Sequence, residues 1–306
     1  MKPHALLAVV FLSAFVASAC SGASEPVSNP PAVAPTAADK SITTTEVASG
    51  LSSPWSMAFL PDGRLLVTER AGNLRLVGID GGLSAPLAGV PAVDMNGQGG
   101  LLGLTLGPDF ANDARVFFAY TESAGGGLNR TAVASGRLTD TALTDVQVIF
   151  RQQPAVAGGF HFGSRLVFDR SDNLFVTLGE RNLKDPAQAL DNHLGKVVRL
   201  RADGSIPADN PFVGQAGALP EIYSYGHRNP QGLALHPQTG EPWISEHGPQ
   251  GGDEINRVLP RRNYGWPRIT HGVNYGSGTT IGEGTGAPMS NRRCFSGCRY
   301  PSRPRA

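Results

Sequence analysis

The sequence predicts an all-β protein of propeller type, and three observations lead there. One pattern of strands recurs four times along the 306 residues. Glycine (39) and proline (24) are abundant without a collagen-like period, as expected of a chain with many turns. No segment carries an apolar period of 3.6 residues beyond a turn or two, so amphipathic helices are not expected.

The recurring pattern is a strand of small residues, a turn rich in Pro, Asp and Gly, and a strand of β-branched and aromatic residues. That is the signature of a hairpin. The first copy spans residues 55–68 around Pro61-Asp62-Gly63. The second joins residues 102–109 to 116–120, the third 164–169 to 174–177, and the fourth 231–237 to 242–245. Equivalent positions Met57, Leu104, Leu166 and Leu233 lie 47, 62 and 67 residues apart. Units of that length hold more than one hairpin each, which fits propeller blades joined by long loops. A sandwich also has short strands, but it would not repeat one motif four times.

The flanks have a different character. Lys2, the apolar run 6–16 and Ala17-Ser18-Ala19 form a targeting segment over residues 1–20 that is too short to span a bilayer. The small residues before Cys20 resemble a bacterial lipoprotein processing site. Cys20 is therefore the expected lipid-modified first residue of an exported protein, periplasmic or anchored to the outer membrane, with simple secretion as the alternative. Residues 21–40, rich in Ser, Ala, Pro and Val, suit a flexible tether, and residues 41–289 hold the propeller. No cysteine lies between residues 21 and 293, so that domain depends on its core alone.

Residues 290–306 carry five arginines, no acid, and Cys294 with Cys298. A C-x3-C pair is a weak zinc signal, and a basic tail could serve a membrane or a partner. A one-base shift across residues 290–299 can instead encode Glu-Gln-Pro-Ala-Val-Leu-Phe-Trp-Val-Pro, which reads as further blade. The expectation is a frameshift that shortens the propeller by about a third and leaves the 306-residue chain with little or no activity. A net charge of +1 argues against a nucleic-acid or membrane-surface electrostatic partner.

The residues with chemistry cluster between 226 and 256. Gly226-His227-Arg228-Asn229 and Ser245-Glu246-His247-Gly248-Pro249, followed by Asp253-Glu254, put cations, amides and carboxylates at both ends of one short strand. Such clusters line the mouth of a β-structure. The polar residues just before successive recurring strands are Gln98, His161, and Arg228 with Asn229. Their equivalent placement predicts that they converge on one site.

Several of these segments resemble the glucose/sorbosone dehydrogenase family, the soluble quinoprotein aldose dehydrogenases. The likeness rests on Pro54-Trp55-Ser56-Met57-Ala58-Phe59, Gly97-Gln98-Gly99-Gly100-Leu101-Leu102-Gly103, His161-Phe162-Gly163-Ser164-Arg165-Leu166 and Gly195-Lys196-Val197-Val198-Arg199. It continues through residues 226–233, 245–256 and Asn263-Tyr264-Gly265-Trp266-Pro267.

The resemblance implies a six-bladed propeller, of which this chain would hold four to five blades, with pyrroloquinoline quinone (PQQ) and calcium on the axis. It implies oxidation of aldose sugars to lactones, with electrons passed to an external acceptor. Arg228 and Asn229 would bind PQQ, and Gln98 would contact sugar or cofactor. The backbone carbonyls of Gly248 and Pro249 would hold calcium, and His161 would be the general base. A second calcium would lie among Asp253, Glu254 and the Tyr264 carbonyl. His193, His227 and His247 would be hydrogen-bonding supports. Phe160 and Arg181 replace polar groups found in some members and point to a broad aldose range. A calcium-dependent lactonase and a non-catalytic carbohydrate- or protein-binding propeller are the competing readings.

Overall fold

Neighbouring residues of a strand point to opposite faces of its sheet, so a strand that is apolar at every position must be covered on both sides. The computed structural model, which describes residues 43–284, shows how that cover is arranged. Cys20, the targeting segment, the 21–40 linker and the 290–306 tail with its cysteines lie outside the described residues.

Four antiparallel sheets follow one another along the chain. The first contains β1 (Pro54–Phe59), β2 (Leu65–Glu69) and β3 (Asn73–Val77) in that order. The second contains β4 (Leu101–Leu106), β5 (Arg115–Gly125), β6 (Leu128–Leu138) and β7 (Leu143–Arg151), with short β8 (Val156–Ala157) added to β6. The third contains β9 (Leu166–Phe168), β10 (Asn173–Leu178), β11 (Lys196–Arg201) and β12 (Ile222–Tyr225). The fourth contains β13 (Pro230–Leu235), β14 (Pro242–Glu246) and β15 (Glu254–Arg257). Each recurring hairpin of the sequence is the first strand pair of one sheet, as expected of propeller blades. Helix is confined to α1 (Phe110–Asp113) and a 3-10 turn at Asp185–Gln188 among the described residues.

The cores lie between blades. On β5, Phe118 joins Leu66, Leu74 and Leu104 in the core between blades 1 and 2. Its neighbour Phe117 points the other way, into the core with Leu174 and Val176 of β10. Phe175, between those two, joins Val197, Ile244 and Val258 in the core between blades 3 and 4. Each fully buried aromatic of this kind contributes roughly 1.5–3 kcal/mol. The cover ends at β1, where Met57 and Phe59 are exposed.

A repeated device shapes the leading end of each inner strand. The register slips within the β1–β2 and β4–β5 pairs, and a threonine hydroxyl of the second strand takes a backbone N–H there. Ser56 N–H donates to Thr68 Oγ1 (3.0 Å), and Gly100 N–H to Thr121 Oγ1 (3.2 Å). Arg165 N–H donates to Thr177 Oγ1 (2.9 Å) in blade 3. In blade 4, Gly232 lies so close to Ser245 that a Cβ would come within 2.1 Å of the hydroxyl.

Arg165 ties blades that are not neighbours in sequence. Its Nε donates to Gln231 O of blade 4 (2.9 Å) and its Nη1 to Ser56 Oγ of blade 1 (2.8 Å). The guanidinium also lies 4.2 Å over the Trp55 ring.

Candidate functional site

The loops that lead into the inner strands meet at one mouth and line a pocket of about 710 Å³. Gln98, His161, Arg228, Asn229, Gly248, Pro249 and Asp253 all contribute to it, so the predicted convergence is observed.

His161 adopts a left-handed backbone (φ 51°), uncommon for a residue with a side chain. Three contacts hold it there. Gln98 Oε1 accepts its N–H at 2.8 Å. Gly179 lies against its carbonyl, where a Cβ would come within 2.0 Å. Its Nδ1 is 2.7 Å from Glu180 Oε1, in a pair where His161 is 6% exposed and Glu180 is fully buried. The second carboxylate oxygen accepts Lys184 N–H at 2.7 Å. An acceptor-only carboxylate fixes the imidazole with its proton on Nδ1, so Nε2 is left with the lone pair.

Blade 4 is linked to this pair. Glu180 N–H donates to Arg228 O (2.9 Å), and Asn229 Oδ1 accepts Gly163 N–H (3.1 Å). The Arg228 side chain is buried and donates through Nη1 to His247 O (3.0 Å) and Gly248 O (2.6 Å). Its Nε has no partner, a costly state for a buried donor and one that an acceptor-rich ligand would relieve. Glu246 accepts Arg228 N–H and holds His227 Nδ1 at 2.9 Å. His227 Nε2 is in turn 2.9 Å from Ser224 Oγ. The three supporting histidines behave as expected: His247 contacts Gln231 Oε1 (3.2 Å), and His193 Nδ1 accepts Gln153 N–H (3.0 Å).

Two expectations need correction. Arg181 does not face the pocket. It is buried, and its donors are spent on backbone carbonyls and Asn129 rather than on substrate-facing positions. It therefore gives no reason to infer a broad aldose range. Asp253 and Glu254 do not form one acidic pair either. Asp253 Oδ1 accepts Gly248 N–H (2.8 Å) on the main pocket, whereas Glu254 and Tyr264 line a small adjoining cavity beside Trp266, which shares Arg228, His247 and Gly248 with it. Asp253 lies in the loop before β15 and is held to Gly248, whereas Glu254 opens the strand opposite Glu246. The Tyr264 ring stacks on His227 with centroids 4.6 Å apart, and burial pushes its hydroxyl up to about 12.

The residues present suit an anionic, acceptor-rich cofactor. The buried Arg228, with an unpartnered Nε, and Arg70 both line the pocket. For calcium the fit is conditional. Gly248 O is available to a cation only through the lone pair that Arg228 leaves free, or after Arg228 turns to another acceptor. Sequence reasoning overlooked Glu180, and it placed Glu246 in the polar cluster without giving it a partner. Their signal was position, since each follows its histidine by the same 19 residues at the end of its blade's second strand.

Successive antiparallel blades, with a buried His–Glu pair and a pocket lined by Arg70 and Arg228 where their leading loops meet, define a β-propeller with a polar site at its mouth. Residues 51–295 match the glucose/sorbosone dehydrogenase family. The chain belongs to that family. It is 51% identical over 239 residues to the aldose sugar dehydrogenase YliI of Escherichia coli, covering 77% of this chain and 64% of the relative. The chain thus spans just under two thirds of that relative's length. A crystal structure of glucose dehydrogenase superposes with a TM-score of 0.79 at 53% identity, over 81% of this chain and 72% of the other. A PQQ-bound aldose sugar dehydrogenase from Streptomyces coelicolor superposes with a TM-score of 0.64 at 35% identity, over 77% and 68% of the two chains.

Proposed function

We propose that the site oxidises aldose sugars at the anomeric carbon to lactones, with PQQ and calcium as cofactors. The observation that carries this reading is the buried His161–Glu180 pair opening on a pocket that also holds Arg228. PQQ would supply the hydride acceptor, with calcium polarising it.

The protein's own residues supply binding and proton transfer. Arg228 gives a buried charge to an anionic group of the cofactor, and Asn229, fixed by Gly163 N–H, orients its amide beside it. Gln98 holds the His161 backbone through its side-chain oxygen, so its role is partly structural. His161 Nε2 removes the proton of the anomeric hydroxyl, while Glu180 stabilises the imidazolium that forms. The Gly248 and Pro249 carbonyls would hold the first calcium. Glu254 with Tyr264 is the better remaining candidate for a second, without Asp253.

Adding PQQ and Ca²⁺ to residues 21–306 tests the reading. PQQ binding is followed by fluorescence and aldose oxidation by dye reduction. Binding with aldose-dependent dye reduction supports it. Lactone hydrolysis without dye reduction, or sugar binding alone, replaces it. The same assay reads the expectation that the 306-residue chain has little or no activity, in which case PQQ binding alone carries the test. The reading extends to export with Cys20 as a lipidated N-terminus, which mass spectrometry of the mature chain checks: an intact, unmodified Cys20 refutes lipidation.

A further inference from the structure

Burying a guanidinium is costly unless its donors are satisfied. Arg181 is only 2% exposed, so its partners must account for its position. Nε donates to Phe160 O at 2.9 Å, and Nη2 to Gly158 O and Asn129 Oδ1, both at 2.6 Å. Nη1 reaches Asn129 O at 3.4 Å, and the guanidinium lies 3.8 Å over the Phe162 ring.

These partners surround the base. Gly158, Phe160 and Phe162 belong to the loop that carries His161. Asn129 is tied through Nδ2 to Asp94 Oδ2 (2.9 Å), in the loop leading to Gln98, whose side chain holds the His161 N–H. Glu180, next to Arg181 in the chain, grips the imidazole itself. One dipeptide thus holds the His161 loop twice, by its ring and by its backbone.

The geometry points to Arg181 as a positioning residue, which pins the Gly158 and Phe160 carbonyls so that left-handed His161 keeps Nδ1 on Glu180 and Nε2 toward the pocket. This rests on the reading of His161 as the base. A lysine cannot replace it, because one ammonium does not present a planar fork to oxygens in three directions.

The test uses the full chain with ¹⁵N-labelled histidine and the substitutions Arg181→Lys and Arg181→Gln. Long-range ¹H–¹⁵N spectra of the cofactor-free protein report which His161 nitrogen carries the proton. Melting temperature and PQQ-loaded aldose oxidation are measured alongside. The parent should show a single Nδ1–H tautomer. Both variants should show mixed tautomers and a kcat reduced about 10- to 100-fold, as misplacement of a reacting group by about 1 Å entails, with KM changed less than about twofold. Val176→Ala, a core truncation in blade 3 away from the loop, should lower the melting temperature and leave the His161 spectrum unchanged. That control separates position from stability. Should both Arg181 variants fail to fold, Asn129→Ala removes one acceptor of the fork and should give a weaker form of the same spectral change. Folded variants with the parent spectrum, or an unaltered spectrum in Asn129→Ala, overturn the inference. A parent with one tautomer that neither binds PQQ nor oxidises aldoses overturns the functional reading and leaves the positioning role to be judged by the spectra.

Discussion

Replacing Glu180 by glutamine changes one atom in a fully buried group whose two oxygens both accept hydrogen bonds, from His161 Nδ1 and from Lys184 N–H, each at 2.7 Å. A glutamine offers one oxygen and one NH₂. With the oxygen toward Lys184, the NH₂ faces Nδ1 and drives the imidazole proton to Nε2, which can no longer act as a base. With the oxygen toward His161, the NH₂ opposes Lys184 N–H and leaves a buried donor unsatisfied, at a cost of about 1–3 kcal/mol. In either orientation the imidazolium loses its anionic partner. A hydrogen bond to a charged group contributes about 1.5–3 kcal/mol, which corresponds to a fall in kcat of about 10- to 150-fold. The assay is steady-state dye reduction at saturating PQQ, Ca²⁺ and aldose, as a ratio to the parent chain, with KM expected to change little. A Glu180→Gln protein within a factor of two of the parent kcat would refute the argument that this carboxylate sets the tautomer of the base.

Arg228→Gln should weaken PQQ binding by about 10- to 150-fold, the equivalent of one charge-assisted bond, while the His161 spectrum stays as in the parent. Unchanged affinity in a fluorescence titration removes Arg228 from the cofactor site. Gly179→Ala should lower the melting temperature, with an overpacking cost of about 1–3 kcal/mol, because its Cβ would come within 2.0 Å of the His161 carbonyl. A melt like the parent's would mean that the two backbones are not in contact. Lys196 is fully buried, with Nζ donating to the carbonyls of Pro186, Ala187 and Leu194, and burial lowers it to about 7. The folded chain therefore binds fewer protons than the unfolded one between about pH 7 and pH 10.5, and its contribution to stability rises with pH across that window. Tyr264 acts in the opposite sense above about pH 10, since its stabilising effect is lost as pH rises toward 12. Denaturation from pH 7 to 9.5 should show less of this rise in Lys196→Met, and identical slopes would count against it.

The part of the site that sequence revealed is the part that repetition reveals. Gln98, His161, Arg228 and Asn229 could be grouped because each occupies the same place before an inner strand, and a propeller brings those places together. Glu180 is not legible in the sequence, and Glu246 is legible only as one carboxylate of a cluster, because nothing local marks a carboxylate at or just past a strand end as buried against a histidine. Arg181 was misread because the direction of a side chain leaving a left-handed backbone (φ 60°) is set by its surroundings, here Asn129 and the 158–162 loop. Proximity in the chain pairs Asp253 with Glu254, although the first stays in the loop on Gly248 and the second opens β15 opposite Glu246. The blades themselves were legible because Pro-Asp-Gly turns and double-faced apolar strands are local signals. Beyond β15 the described residues form only isolated bridges, such as Val273 with Gln250 and Thr280, so no strand pattern was there to be read.

Arrays in which each repeat touches only the next can lose their ends one unit at a time. Arg165 works against that, because it belongs to blade 3 yet bonds to Ser56 of blade 1 and to Gln231 of blade 4. Detaching either outer blade therefore strips a partner from a partly buried guanidinium that also serves the other. Heat or urea should thus melt the arc as one cooperative block, whereas Arg165→Ala should split the transition and let a terminal blade leave first.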